Sequence, residues 1–203
     1  EHVIHNKPFP VVVGEDVEQA LEQFASEYRA YVERGNDDDL LPMPPHPHWA
    51  ILSDGSVRSF GPMLARADVS ADVAVANLQA LRRAAHLGGW QGLDEDDLRA
   101  LEYWELEQAK LRAQGTPPPL AGKVAVIGGC ATGIGRAAAE ALHERGAVVV
   151  GLDINPAVED FMSRPDFCGF TVDLTDEASV TDALKQTVFD FGGLDILVSN
   201  VGI

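Results

Sequence analysis

Between Leu120 and Ile203, short β-branched apolar runs alternate with stretches of helical periodicity, and no other feature of the sequence constrains the fold as strongly. Strands separated by helix-length segments run parallel, joined by crossover helices that cover the sheet. The expected strands are Lys123 to Ile127, Ala147 to Leu152, Gly169 to Asp173 and Leu194 to Ser199. Helices are expected at about 133–145 and 176–191, with a weaker one near 156–162. The fold class is α/β.

The turn from the first strand into the first helix reads Gly129-Cys130-Ala131-Thr132-Gly133-Ile134-Gly135. A pyrophosphate can be met by free amides at a helix N-terminus, provided no side chain holds it away. Gly129 suits the tight turn out of the strand, Gly133 a close approach to the phosphates, and Gly135 close packing of helix on strand. A glycine-rich loop can also be a plain tight turn, so its surroundings matter. The second strand ends in Asp153, about twenty residues further on, where a carboxylate can accept hydrogen bonds from both adenine-ribose hydroxyls. It would also repel a 2′-phosphate, and Leu152-Asp153-Ile154-Asn155 holds no Arg or Lys to offset that charge. The cofactor expected is NAD. Arg136, the nearest cation, reads as a solvated helix residue, and Asp153 itself reads alternatively as a strand-end residue capping a turn.

These pieces together resemble the short-chain dehydrogenase/reductase family over residues 120–203. The resemblance rests on the loop from Gly129 to Gly135, on Asp153, on Asp173-Leu174-Thr175 and on Asn200-Val201-Gly202, in that order. It implies a partial Rossmann-type sheet of four parallel strands in the order 3-2-1-4. Asp173 would bond the adenine amino group and the backbone amide of Leu174 a ring nitrogen, while Asn200, Val201 and Gly202 would lie along the cofactor and tie strands together. Asp173 reads alternatively as a helix cap, and Asn200 as a strand-end turn residue. With Ala131, Thr132, Ile134 and Ile154, these make up the expected cofactor-binding set. Gly128 departs from the family's usual Thr, a residue that braces the loop, and Ser199 and Val201 replace its usual Asn and Ala.

The family's reacting Ser, Tyr and Lys are expected beyond the strand ending near Ser199, so no catalytic residue is assigned and Asn200 is not promoted to one. In the complete enzyme, the resemblance implies, a tyrosine phenol moves a proton while hydride passes between nicotinamide and a carbinol carbon. The reaction would be oxidation of an alcohol or sugar-type hydroxyl, or reduction of the carbonyl. The chain lacks an initiator Met and stops just after an apolar run, which reads as a piece of something longer.

A second organisation precedes this one. Gly115-Thr116-Pro117-Pro118-Pro119 interrupts regular structure, giving an accessory region at 1–115, a proline-rich linker at 116–119 and the dinucleotide-binding part at 120–203. The accessory region reads as mostly helical α+β. Val17, Leu21, Phe24, Tyr28 and Val32 recur at helical spacing, so a helix is expected over 16–34. Trp49 to Leu52 and Val57 to Phe60 flank Ser53-Asp54-Gly55-Ser56, a hairpin signal. Helices are expected from Ala67 to Leu87, stopped by Gly88-Gly89, and over 95–113, capped by Asp94. This half resembles the region joining the two catalytic parts of bifunctional proteins in which a class II aldolase-like domain precedes a short-chain dehydrogenase. Glu102 to Leu111 followed by the prolines, and Ala71 to Val75, carry that likeness. The aldolase's metal-binding histidines would lie upstream of Glu1, so no aldol chemistry is expected.

Charge and composition narrow the partners. Fifteen Lys+Arg against 32 Asp+Glu leave a net charge of −17, which repels nucleic acid and anionic membranes. The expected partners are a small-molecule alcohol or carbonyl in the full-length protein and further copies of the chain in a homo-oligomer, since the fourth strand would leave Ile196, Leu197 and Val198 at a sheet edge. Cys130 and Cys168 have no metal-ligand spacing, and with no signal segment a reducing cytoplasm is expected. His46-Pro47-His48 lacks further ligands for zinc, Asp37-Asp38-Asp39 lacks a calcium-loop pattern, and His2 and His5 read as ordinary terminal residues. Trp49, Trp90 and Trp104 read as core or domain-contact residues. A non-catalytic nucleotide-binding or interaction module is the alternative function. A P-loop phosphotransferase is disfavoured because the loop lacks a Lys-Ser/Thr ending.

Overall fold

A computed structural model of the chain describes residues 2–35, 40–113, 115–161, 164 and 166–202. Contacts divide it into two compact units, Glu1–Gly61 with Arg66–Thr116, and Pro62–Ala65 with Pro117–Ile203. Among the described residues, no helix is long and apolar enough to cross a membrane.

The first unit runs α1 (His2–Asn6), β1 (Val11–Val12), α2 (Val17–Glu33), β2 (Trp49–Ile51), β3 (Val57–Ser59), α3 (Leu64–Ala85), α4 (Glu95–Glu102) and α5 (Glu105–Ala113). The first two residues of α3 cluster with the second unit, where Gly122 N donates to Pro62 O and Leu64 N to Asp166 Oδ1. The hairpin forms as its turn residues dictate: β2 and β3 pair antiparallel, Gly55 takes φ +79°, and Ser56 N donates to Asp54 Oδ1. A third strand joins it without a sequence signal, because β1 is two residues long and shows no alternation; it pairs parallel to β2. Asp16 and Asp94 cap α2 and α4 through bonds from Gln19 N and Asp97 N, filling donors a helix start leaves open.

Four expectations need correction here. The buried stripe of α2 is Phe24, Tyr28 and Tyr31, while Val17 and Leu21 are exposed. The stretch 95–113 is two helices, broken at Tyr103, whose φ of −109° and ψ of 21° leave helical geometry so that Glu102 and Tyr103, adjacent in sequence, are both buried. Trp49 is buried as expected, but Trp90 and Trp104 are about half exposed, at 53% and 46%. His5 is no loose terminus: it lies in α1, and its carbonyl accepts from His48 Nδ1 at 2.6 Å.

The second unit runs β4 (Val124–Gly128), α6 (Gly133–Glu144), β5 (Val148–Asp153), β6 (Phe167–Thr171), α7 (Glu177–Phe191) and β7 (Ile196–Ser199). Its four strands are all parallel, in the order β6-β5-β4-β7, the expected 3-2-1-4 arrangement. Both faces are covered, which is why the strands read as continuous apolar runs. Ala125, Ile127 and Val149 join Ala139 of α6 in one cluster, and Val124, Val126, Val148 and Val150 join Ala183 of α7 in the other. The stretch 156–162 holds only a 3₁₀ turn, Pro156–Val158, among its described residues. Asn155 caps that turn at Ala157 N, and Val158 is fully buried, its carbonyl 2.1 Å from where a Cβ on Gly169 would stand. Strand β6 ends two residues early, because Asp173 folds back onto Thr175.

Candidate functional site

The loop from Gly129 to Thr132 leaves the end of β4 and enters α6. Gly129 has φ +73° and donates its N–H to Leu152 O at 2.8 Å; a Cβ there would lie 2.7 Å from Asn200 O. Gly135 is stricter still, since a Cβ would fall 2.0 Å from Gly129 O. The helix therefore starts directly against the turn, which only a residue without a side chain permits. Gly133 has φ +60° and nothing within 4 Å of its Cβ position, so its surroundings are open space.

The N-cap residue Thr132 makes no side-chain cap bond. Helix geometry leaves the first amides of α6 without intrahelical acceptors, and the helix dipole adds partial positive charge there. Beside them, Ile134 is 78% exposed. The end of the helix is thus an uncapped cluster of N–H donors beside an open glycine, an arrangement suited to an anion.

Asp153 stands at the end of β5. Its Oδ2 accepts from Ala131 N and its Oδ1 from Asn155 N, both at 2.9 Å. It therefore caps a turn and also ties the strand end to the loop. A carboxylate has about four lone-pair positions, so two remain for further donors. Ile154 follows it, 69% exposed. Arg136 is committed elsewhere: Nε meets Glu140 Oε1 at 3.1 Å, and the guanidinium sits 5.0 Å from the centroid of Phe161.

Asn200 closes the opposite side of the loop. Its N–H donates to Gly128 O at 3.2 Å and its Nδ2 to Gly129 O at 3.4 Å. The fold thus brings Gly129, Gly135 and Asn200 into one contact, and Ala131 onto Asp153. Asp173 bonds within its own turn. Asp173 Oδ1 accepts from Thr175 N at 2.9 Å and Thr175 Oγ1 at 2.7 Å, and those bonds hold its carboxyl below the usual range. It caps neither neighbouring helix; Asp176 caps α7. Val201 is 52% exposed, and Gly202 has nothing within 4 Å of its Cβ position.

Two features escape a reading of the loop alone. A Cβ on Gly128 would stand 3.1 Å from Leu174 Cδ1 and 3.3 Å from Val201 Cγ2. The space of the family's usual Thr is taken by these two side chains, so the Gly at 128 and the larger Val at 201 compensate each other. Cys130 is fully buried, its Sγ 2.3 Å from the Cβ position of Gly151 on β5. Burial pushes that thiol up to about 11, with the charge of Asp153 acting the same way. The available signal was Gly151 itself, a glycine inside an apolar strand, which marks close approach.

Both cysteines are free. Among the described residues, no group of three or more His, Cys, Asp or Glu is placed to hold a metal. Asp37, Asp38 and Asp39 lie outside the described residues.

Residues 1–111 match the family model for aldolase class II, second domain, and residues 123–203 that for short chain dehydrogenase. The uncharacterized oxidoreductase YuxG of Bacillus subtilis (strain 168) is 26% identical over the whole of this chain and 32% of its own length. The 3-oxoacyl-[acyl-carrier-protein] reductase FabG of Escherichia coli (strain K12) is 40% identical over 86 residues, 40% of this chain and 35% of its own. The cis-4-hydroxycyclohexanecarboxylate dehydrogenase of Sinomonas cyclohexanicum is 41% identical over 86 residues, 40% of this chain and 34% of its own. The chain spans about a third of the length of these curated relatives.

Proposed function

The chain belongs to the aldolase class II second-domain family and carries a short chain dehydrogenase segment at residues 123–203, and from that premise we propose that it supplies the adenine side of an NAD site in a bifunctional aldolase/dehydrogenase. The first amides of α6, with Gly133 open beside them, hold the pyrophosphate. Asp153, oriented by Ala131 N and Asn155 N, uses its remaining lone pairs on the adenine-ribose hydroxyls. Asp173 and the amide of Leu174 meet the adenine edge, with Ile154 beside it. Asn200 to Gly202 border the cofactor on the side of β7, and Asn200 holds the loop in shape from there. The residues present fit such a group: the amides lack a side-chain cap, and a Cβ at Gly133 would meet nothing within 4 Å.

NAD is favoured over NADP because a 2′-phosphate would meet the carboxylate of Asp153, while Arg136 is already paired with Glu140. When bound, the nicotinamide exchanges hydride with a carbinol or carbonyl carbon. The substrate class is an alcohol or sugar-type hydroxyl, or the corresponding carbonyl, in keeping with relatives named for a ketoacyl reductase and a hydroxycyclohexanecarboxylate dehydrogenase. No residue of the segment is assigned to proton transfer. Self-association of the full-length protein is part of the proposal.

The observation that carries this reading is the bond from Ala131 N to Asp153 Oδ2, which joins the anion-binding loop to the acid that would grip the sugar. Titration with NADH and NADPH, followed by ligand fluorescence, tests it. Asp153→Ala is expected to weaken NADH binding about tenfold or more, the scale of one charge-assisted hydrogen bond pair, and to weaken NADPH binding less. Equal losses for the two would remove the ribose role from Asp153.

A further inference from the structure

The first unit buries a charged cluster that the dinucleotide site does not use. Lys7 is 1% exposed and Glu102 is 1% exposed, although each arrives with a full charge. Tyr28 links them. The Lys7 ammonium sits 3.4 Å from the centroid of the Tyr28 ring, and the Tyr28 hydroxyl donates to Glu102 Oε1 at 2.7 Å.

The hydrogen bonds run in one direction only. Tyr28 spends its proton on Glu102, so the 2.8 Å contact between the Tyr28 and Tyr103 hydroxyls must be donated by Tyr103. Tyr103 in turn accepts from Met43 N at 3.4 Å. The chain of donors ends on Glu102, which must accept. A phenol bonded to a carboxylate is richer in electrons, and a richer ring attracts a cation more strongly. Lys7 also donates to Pro44 O at 2.6 Å, and its own backbone is held at φ +62°, a left-handed conformation that a residue with a side chain rarely adopts. Its N–H bonds back to Val3 O at 3.0 Å, closing α1.

Burial opposes both charges. It pulls the Lys7 ammonium down to about 8 and pushes the Glu102 carboxyl up, each only partly offset by the other's charge. Among the described residues neither Glu102 Oε2 nor the Tyr31 hydroxyl makes a well-formed hydrogen bond, although the Tyr31 phenol lies near enough to hold the carboxyl down somewhat. An arrangement with two disfavoured charges is a poor source of stability, because apolar or neutral replacements of such pairs are often as stable or more so.

We propose that Lys7, Tyr28 and Glu102 form a positioning device, a tyrosine-bridged charge pair that fixes α1 and the left-handed turn at Lys7 in a single register against α2 and α4. It specifies a geometry and adds no net stability.

A double-mutant cycle in the full 203-residue chain tests this. Glu102→Gln keeps the acceptor for Tyr28 and offers an amide donor to the Tyr31 oxygen, while Lys7→Met keeps length without charge. Each single substitution strands one buried charge, and each is expected to lower the folding equilibrium constant of the first unit about a hundredfold, measured by hydrogen exchange of the α2 amides. The double variant K7M/E102Q is expected to regain or exceed the wild-type value. In that double variant the backbone amide at position 7 should nevertheless exchange at least about tenfold faster than in the wild type, since the register is no longer pinned. Losses in the double variant equal to the product of the single losses would overturn the coupling. An amide at position 7 exchanging at the wild-type rate in the double variant would overturn the positioning role.

Discussion

The sheet of the second unit and the tyrosine cluster of the first fill their cores by opposite means. In the sheet, every buried strand position from Val124 to Ile127 is apolar, each facing one of two clusters, and the backbone groups are spent in ladders. In the first unit, Lys7, Asn6, Glu102 and Gln108 are buried alongside Tyr28 and Tyr31, and polar atoms of Asn6 and Trp49 find no hydrogen-bond partner among the described residues. The first kind of core follows from additive burial, at about 25 cal/mol per Å² of apolar surface. The second depends on particular pairs, where a change at one partner strands the other. Chemistry in the second unit therefore sits at the rim of a rigid apolar sheet, whereas the polar chemistry of the first unit lies inside.

The difference can be broken from either side. The largest effect is expected at Gly135. An added Cβ would lie 2.0 Å from Gly129 O, which is backbone and cannot swing aside. Gly135→Ala should destabilise the second unit by more than about 3 kcal/mol, in the range of overpacked or strained sites, and abolish nucleotide binding. Amide exchange in α2 should be unchanged; if α2 loosened with it, the two cores would not be independent.

A smaller effect separates the units by pH. Lys7 is lowered to about 8 in the fold and titrates near 10.5 when free. Between these values the unfolded chain binds a proton that the folded chain has lost, so stability of the first unit rises with pH. The groups facing Lys7 and its partners are Glu102 on α4, Tyr28 and Tyr31 on α2, Tyr103 after α4 and His48 near β2. The tyrosines are held protonated well above their usual range, chiefly by burial, so above about pH 10 they reverse the slope. From pH 8 to 10 a gain on the order of 1 kcal/mol is expected in α2 protection. The gain should vanish in Lys7→Met, and a flat profile in the wild type would contradict the buried charge.

The same contrast explains what could be read from the residues. The four strands, their parallel direction, the hairpin and the cap at Asp94 follow from periodicity and turn chemistry, which are local, whereas the strand order followed from the resemblance carried by the loop motifs. Nothing local marks Lys7 and Glu102 as buried. A charged side chain ordinarily reads as solvated, and the ring that joins these two comes from α2. The break at Tyr103 escapes for the same reason, since the hydroxyl its side chain meets there lies on α2, far away in sequence. In the site, the glycines and Asp153 are legible because the turn, the close approach and the strand end each demand a residue type. The fit of Leu174 and Val201 over Gly128 is not, because it depends on three segments meeting.

The central claim is that the uncapped start of α6 and Asp153 together hold an adenosine diphosphate group. Amide chemical shifts recorded while ADP-ribose is added test it most directly, because that ligand carries the adenine side alone. The account predicts saturable shifts at Gly133, Ile134, Gly135 and Ile154, lost in Asp153→Ala. A folded chain in which those four amides stay still while ADP-ribose is raised to millimolar levels would contradict it.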